Sequence, residues 1–483
     1  MENRIESWRM AAKPVIALVL AAAIHVAPAA TVGRVFARQM WPWQTHFEVS
    51  YVLETAQSEA VDVSLKVSSG DTEFSIPASE LLGETKGLTS GEYRLVWDSA
   101  ASSAPTAQWL LENSGKLQFS VVTEAAEHPA EYLVIDLSGG PGAESWPAKR
   151  IAGKPLNGWT DEYKTTKLVL RRIMAGGKGN VFSSEKGVTF KYGCTEADEP
   201  YMCSFDFKAV DVTLTNDYWI GVFELTQKQY QLITGSTIVP GSFKTGDKYP
   251  QTLIGYCTHM RGETLGVQWP VSSDVDEGSL MGILRRKVAL PPEIPSAWKF
   301  DLPTAAQWEY ACRAGTKGPW NNGGTYDTYV FKTESNKDGS ITEYEGDRNL
   351  NLVGWNPANA KSGGSEVGLL LQNAWGLYDM HGNASEYCLD YNYSGNKMTD
   401  SRKGYEPVGY TPSSATTSGS ARVVKGGGYS IYWTTITVQK YWKGHRSCGH
   451  VQTYNGNASE YHSCRIALRN SAANAGQQSG DAK

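Results

Sequence analysis

Between His46 and Leu137 short segments carry apolar residues at every second position, and no segment of that stretch sustains a strong helical repeat. Phe47, Val49, Tyr51 and Leu53 alternate with polar neighbours, as do Val61, Val63, Leu65 and Val67. Successive side chains of a strand point to opposite faces, so a period of two predicts strands with one buried face. Tyr93–Trp97, Leu117–Val121 and Tyr132–Leu137 are predicted as further strands, separated by Ser-Gly-Asp, Thr-Ser-Gly and Asn-Ser-Gly turns. Short alternating strands with frequent turns predict a small antiparallel sandwich over 44–137. That stretch carries no reactive constellation, which predicts a spacer or docking module.

The pattern changes at Ser138-Gly139-Gly140-Pro141-Gly142, with Pro147 and Pro155 soon after. Clustered Gly and Pro break regular structure, so 138–165 is predicted as a linker. Helix signals then appear. Thr226 and Gln229 form a capping box, with Tyr230, Leu232 and Ile233 on the buried side. Asp276–Arg286 is predicted as a second helix, with Leu280, Ile283 and Leu284 on one face. Thr304 and Gln307 make a second capping box before Ala305–Ala314, and Gly315 is placed to end that helix. Beyond residue 317 the chain reads as loops and short strands. With 49 Gly, 16 Trp and 25 Tyr among 483 residues, the second unit is predicted to be an α+β domain of low regularity.

The N terminus carries Arg4, Arg9 and Lys13, then the apolar run Val15–Ile24, then Ala27-Pro28-Ala29. Basic, apolar and small-residue segments in that order predict a secretory signal peptide over 1–29. Export to the periplasm, cell surface or exterior is the expectation; a signal anchor is the alternative. The run is short for a membrane span, and no later segment is long and apolar enough for one, so the mature chain is expected to have none. A net charge of -5 gives no basic face for nucleic acid. Of seven cysteines, Cys194 with Cys203 and Cys448 with Cys464 are spaced to pair, and an odd count leaves at least one thiol free.

Five segments resemble the formylglycine-generating-enzyme, or sulfatase-modifying-factor, family. They are Asp217-Tyr218-Trp219-Ile220-Gly221-Val222-Phe223-Glu224-Leu225-Thr226-Gln227, Leu302–Thr316 (LPTAAQWEYACRAGT), Asn373–Asn383 (NAWGLYDMHGN) followed by Glu386, Arg422–Tyr429 (RVVKGGGY) and Cys464-Arg465-Ile466-Ala467-Leu468. All five stand in family order. The resemblance covers roughly residues 166–470 and leaves a polar tail over 471–483. It implies a C-type-lectin-like fold.

The resemblance also implies a structural calcium site, carried by the side chains of Asp379 and Glu386 and the carbonyls of Gly382 and Ala384. Calcium takes oxygen ligands, and two carboxylates around a turn suit it. In the active oxidases a cysteine pair binds Cu(I), which prefers soft thiolates. Here the matching positions are Ile431 and Ile436. Hydrocarbon cannot ligate copper, so copper is not expected and no catalytic residue is assigned. His445, Cys448, His450, His462 and Cys464 match no ligand spacing. The last segment is rich in large rings among small polar residues, as ligand-facing loops are. Tyr441, Trp442, His445, Arg446 and Tyr454 are the expected contacts for a protein or glycan, with Tyr429 and Trp433 more buried. Two readings stay open: an exported bacterial binding module, or a diverged oxidase acting on protein cysteine.

Overall fold

The structure is a computed structural model. It describes residues 30–40, 45–56, 59–102, 104–175, 187–193, 209–239, 241, 243–262, 269, 272–324, 326–335, 341–360, 363–391, 404–405, 422–429 and 458–471.

The first unit is a two-sheet sandwich. Its strands are β1 (Thr31–Gln39), β2 (His46–Glu54), β3 (Val61–Ser69), β4 (Thr72–Ile76), β5 (Leu81–Leu82), β6 (Gly91–Asp98) and β7 (Gln118–Ala125). One sheet runs β1-β2-β6-β5 and the other β4-β3-β7. The predicted alternation is the inward face: Val49, Tyr51 and Leu53 from one sheet meet Val63, Leu65 and Val67 from the other in one core. Two features exceed the sequence reading. Strand β1 pairs with β2 and lies before residue 44. A short helix α1 (Ala107–Glu112), capped by the Thr106 side chain, lies between β6 and β7.

The second unit begins earlier than its sequence signals suggest. Strands β8 (Glu131–Asp136), β9 (Trp146–Ala152) and β10 (Lys167–Ile173) are followed by β11 (Val188–Tyr192), β12 (Val210–Leu214) and β13 (Tyr218–Gly221). Helices α2 (Gln227–Thr234) and α3 (Leu280–Lys287) precede β14 (Val288–Ala289) and β15 (Trp298–Asp301), and α4 (Ala305–Arg313) comes next. The hairpin β16 (Thr328–Ser335) and β17 (Ile341–Asp347) leads into α5 (Arg348–Val353), β18 (Gly354–Trp355) and β19 (His381–Gly382). The chain continues through β20 (Ser385–Tyr391), β21 (Gly404–Tyr405), β22 (Arg422–Lys425), β23 (His462–Cys464) and β24 (Ala467–Asn470).

A seven-stranded sheet, β14-β9-β8-β10-β13-β24-β15, organises this unit. Strand β8, read as part of the sandwich, pairs here with β10 and β9. Strand β9 falls within the stretch read as a linker, 138–165. The correction has a physical cause: alternation and turn residues are local, whereas sheet membership depends on partners far along the chain. Both capping boxes form as read, at Thr226 and Thr304. Helix α4 ends on Ala314 at φ 45°, one residue before the expected Gly315. Helix α3 starts after Ser279, whose side chain caps it, rather than at Asp276.

The two units meet through buried charge. Glu84, 3% exposed and carried by the sandwich, accepts from Lys154 Nζ at 2.6 Å and from Tyr132 Oη at 3.2 Å. Burial pushes its carboxyl up, but Lys154, Arg171 and Tyr132 together hold it below the usual carboxylate range. A lowered folded-state pKa contributes stability above the unfolded value, and that contribution is lost as pH falls through the folded one. Lys154→Met should therefore cost about 2 kcal/mol at neutral pH by removing the charged hydrogen bond to Glu84, which keeps Tyr132 and the field of Arg171. It should also flatten the loss of stability between neutral and acid pH. Denaturant unfolding across that range measures both effects.

Candidate functional site

The site is built around one arginine. Arg465 sits between β23 and β24 and is fully buried. Its Nη2 lies 2.7 Å from Glu386 Oε1 and its Nε 3.0 Å from Oε2. The other donors go to carbonyls: Nη1 to Gly221 and Nη2 to Tyr378, each at 2.9 Å. Trp308 Nε1 on α4 donates to Glu386 Oε2 at 2.6 Å. One guanidinium thus ties together β13, β20 and the turn at Tyr378, and α4 joins them through Glu386.

That turn, 376–383, is backbone that could not stand in the core alone. Asp379 and Asn383 take φ of 54° and 55°, a conformation Asn and Asp tolerate better than most residues. At Gly382 an added Cβ would lie 1.9 Å from the Trp355 carbonyl oxygen. Buried side chains satisfy the turn. Glu224 Oε1 accepts from Ala384 N at 2.9 Å and Oε2 from Asn383 Nδ2 at 2.7 Å. Asn373 Nδ2 donates to the Ala311 and Cys312 carbonyls, while its Oδ1 accepts from Trp375 N and Leu377 N. Asp379 Oδ2 accepts from Gly368 N at 2.6 Å, and its Oδ1 is buried without a partner.

Glu224, Asp379 and Glu386 share this region with the single guanidinium. Burial, reinforced by the charges of Asp379 and Glu386, drives the Glu224 carboxyl well above its ordinary range. Burial likewise pushes Asp379 up to about 6. The arrangement is a neutralised polar clamp.

The structure brings all four expected calcium ligands, Asp379, Gly382, Ala384 and Glu386, to this turn. Their fit to the ion is poor. Asp379 Oδ1 is available, as a ligand oxygen would be. Glu386 has both oxygens engaged by Arg465 and Trp308. Among the described residues no group of three or more His, Cys, Asp or Glu side chains is placed to hold a metal. Sequence reading missed Glu224 and Arg465 as members of the clamp. The available signal was a charge inside an apolar run: Phe223-Glu224-Leu225 and Cys464-Arg465-Ile466.

A second buried pair supports the strand before the glycine cluster. Lys425 Nζ lies 3.0 Å from Glu309 Oε2, and Arg313 bonds the other oxygen. Cys464 is a buried free thiol; its expected partner Cys448, like Cys194 and Cys203, lies outside the described residues. His462, on the same strand, is pushed down to about 3 by burial and is neutral. Tyr429 is buried as expected. Ile431, Ile436 and Trp433, and the expected ligand contacts Tyr441, Trp442, His445, Arg446 and Tyr454, lie outside the described residues.

A β-sandwich followed by a seven-stranded sheet with few helices and a buried turn clamped by Arg465 defines a two-unit protein with a C-terminal C-type-lectin-like α+β domain. The profile described as "Sulfatase-modifying factor enzyme 1-like domain" matches residues 183–457, and the chain belongs to that family. A protein of Paenibacillus barcinonensis named "Chaperone protein LppX" is 29% identical over 195 residues, 38% of this chain. The match spans 64% of that relative, less than two thirds of its length. Among solved structures, "Treponema denticola variable protein 1" matches with a TM-score of 0.38 and 20% identity, over 63% of this chain and 96% of that one. PvdO from Pseudomonas aeruginosa matches with a TM-score of 0.37 and 17% identity, over 64% and 97%.

The clamp gives a test of the turn. Asp379 holds its proton more tightly when folded, so the native state loses relative stability as pH rises from about 4 to about 6. Asp379→Asn should raise stability at neutral pH by about 1–3 kcal/mol. Denaturant titration measures it. A destabilised variant, together with a parent protein whose Tm rises with millimolar calcium, would assign Asp379 to a cation instead.

Proposed function

We propose that this chain is an exported, non-catalytic binding protein that holds a protein ligand through its C-terminal loops. The observation that carries the reading is the pair Ile431 and Ile436 at the positions matching the copper-binding cysteines. Cu(I) needs soft donors, and a branched hydrocarbon offers none. The thiols elsewhere are poor substitutes. Among the described residues Cys312, Cys388 and Cys464 are buried, and burial raises the Cys388 and Cys464 thiols far above the range in which they ionise. Only thiolates serve as nucleophiles or metal ligands.

The rings and small polar residues around Tyr441, Trp442, His445, Arg446 and Tyr454 suit recognition. The relative named as a chaperone favours a protein ligand over a glycan, since chaperones bind polypeptides. Export rests on the basic, apolar and small-residue segments of 1–29.

Aerobic incubation with Cu(I) and a Cys-x-Pro-x-Arg peptide, followed by mass spectrometry, should yield no aldehyde. Conversion to formylglycine would establish the oxidase reading instead. Binding to a surface-protein array should fall at least about tenfold in the Tyr441→Ala/Trp442→Ala variant. Binding confined to a glycan array would replace the protein ligand, and silence on both arrays would remove the binding reading.

A further inference from the structure

A cavity of about 320 Å³ lies where the sandwich meets the seven-stranded sheet. Asp62, Lys86 and Gly87 line it from the first unit, and Arg171, Met174 and Trp375 from the second. Its volume is at the lower end of the range for small-molecule sites.

Three cations line this space, and two have carboxylate partners. Lys86 Nζ lies 2.7 Å from Asp62. Arg172 pairs with Glu131 at 2.8 Å and Asp217 at 2.7 Å. Arg171 has no carboxylate partner among the described residues, although it is only 5% exposed. Its Nη1 donates to Tyr132 Oη at 2.8 Å and its Nη2 reaches the Lys86 carbonyl at 3.5 Å. Its Nε–H is buried and unpartnered. A guanidinium presents five donors, so this one is under-used.

The neighbouring charges do not neutralise it. Tyr132 Oη donates its hydrogen bond to Glu84, and Glu84 already has Lys154 at 2.6 Å. Within the hydrogen-bonded set Arg171, Tyr132, Glu84 and Lys154, two cations therefore share one carboxylate, while Asp62 and Glu131 at the cavity wall are taken by Lys86 and Arg172. Glu127 and His128 also line the cavity but are exposed. A buried cation without an opposite charge is costly, and an anion entering the cavity would relieve that cost. The remaining wall is apolar: Ile173, the 39%-exposed Met174 and the ring of Trp375, which packs edge-on against Tyr310.

We propose that this inter-unit cavity binds a small monocarboxylate with an apolar or aromatic body, its carboxylate on Arg171 and its body against Met174 and Trp375. The site uses no residue of the C-terminal loops, so it stands or falls separately from the function proposed above. A planar carboxylate matches the fork of an arginine, and the ring wall favours a flat or apolar body over a compact, strongly hydrated ion.

Isothermal titration of the full chain with benzoate, benzamide and inorganic phosphate tests it. Benzoate should bind, and benzamide, of the same shape without the charge, should bind at least about tenfold more weakly. Arg171→Lys keeps the charge but loses the fork and should weaken benzoate roughly tenfold. Met174→Trp, a change at an exposed wall position, should block benzoate while leaving the unfolding midpoint in place, and it decides the matter if the Arg171 variant does not fold. No benzoate binding by the parent protein, equal binding of benzamide, phosphate binding more tightly than benzoate, or benzoate binding untouched by Met174→Trp would each overturn the proposal.

Discussion

A fully buried arginine is the constraint on which the second unit depends. Arg465 cannot enter an apolar core with an unopposed charge, because desolvation would cost several kcal/mol. Glu386 supplies the opposite charge and the Gly221 and Tyr378 carbonyls take its remaining donors. Each of those partners belongs to a different part of the chain. Their convergence on one guanidinium holds a turn that contains three positive-φ residues, Asp379, Gly382 and Asn383. Irregular backbone is stable in a core only when its polar groups are answered. In this fold the answer comes from side chains on strands and helices that surround the turn.

Local regularities were legible from the residues, and long-range pairing was not. The alternation in β2 and β3 and the capping boxes at Thr226 and Thr304 are decided by neighbours within a few residues, and they form where the pattern places them. The five family segments carried the fold of the second unit, because they record the same turn and clamp as a motif. The placement of β8 was not legible. Its residues alternate like those of the sandwich, yet its partners β9 and β10 make it part of the larger sheet. Helix α5 also escaped notice, although the Asp347 side chain caps it, because it lies in a region of mixed polarity without a steady period. At the site, Asp379 and Glu386 were legible as a carboxylate pair. What faces them was not, since Arg465 lies 79 positions from Glu386.

The seam between the units follows the same physical logic as the clamp. Glu84 from the sandwich is received by Lys154 and Tyr132, so the two units share a buried charge rather than a flexible tether. The difference lies in the balance. Around Arg465 carboxylates outnumber the guanidinium, and burial raises the pKa values of Glu224 and Asp379. At Arg171 and Lys154 two cations share the one carboxylate of Glu84, and a cavity adjoins Arg171. The first arrangement closes a turn; the second leaves an opening suited to an anion.

Arg465 and Glu386 stabilise the core as a unit. A double-mutant cycle of Arg465→Met and Glu386→Gln, followed by denaturant unfolding, measures this. Each single change should strand the other charge. The pair changed together should therefore lose less stability than the two losses summed, with a coupling of about 2 kcal/mol or more. Additive losses would mean that the two side chains act independently, and the clamp would then not be what holds the turn.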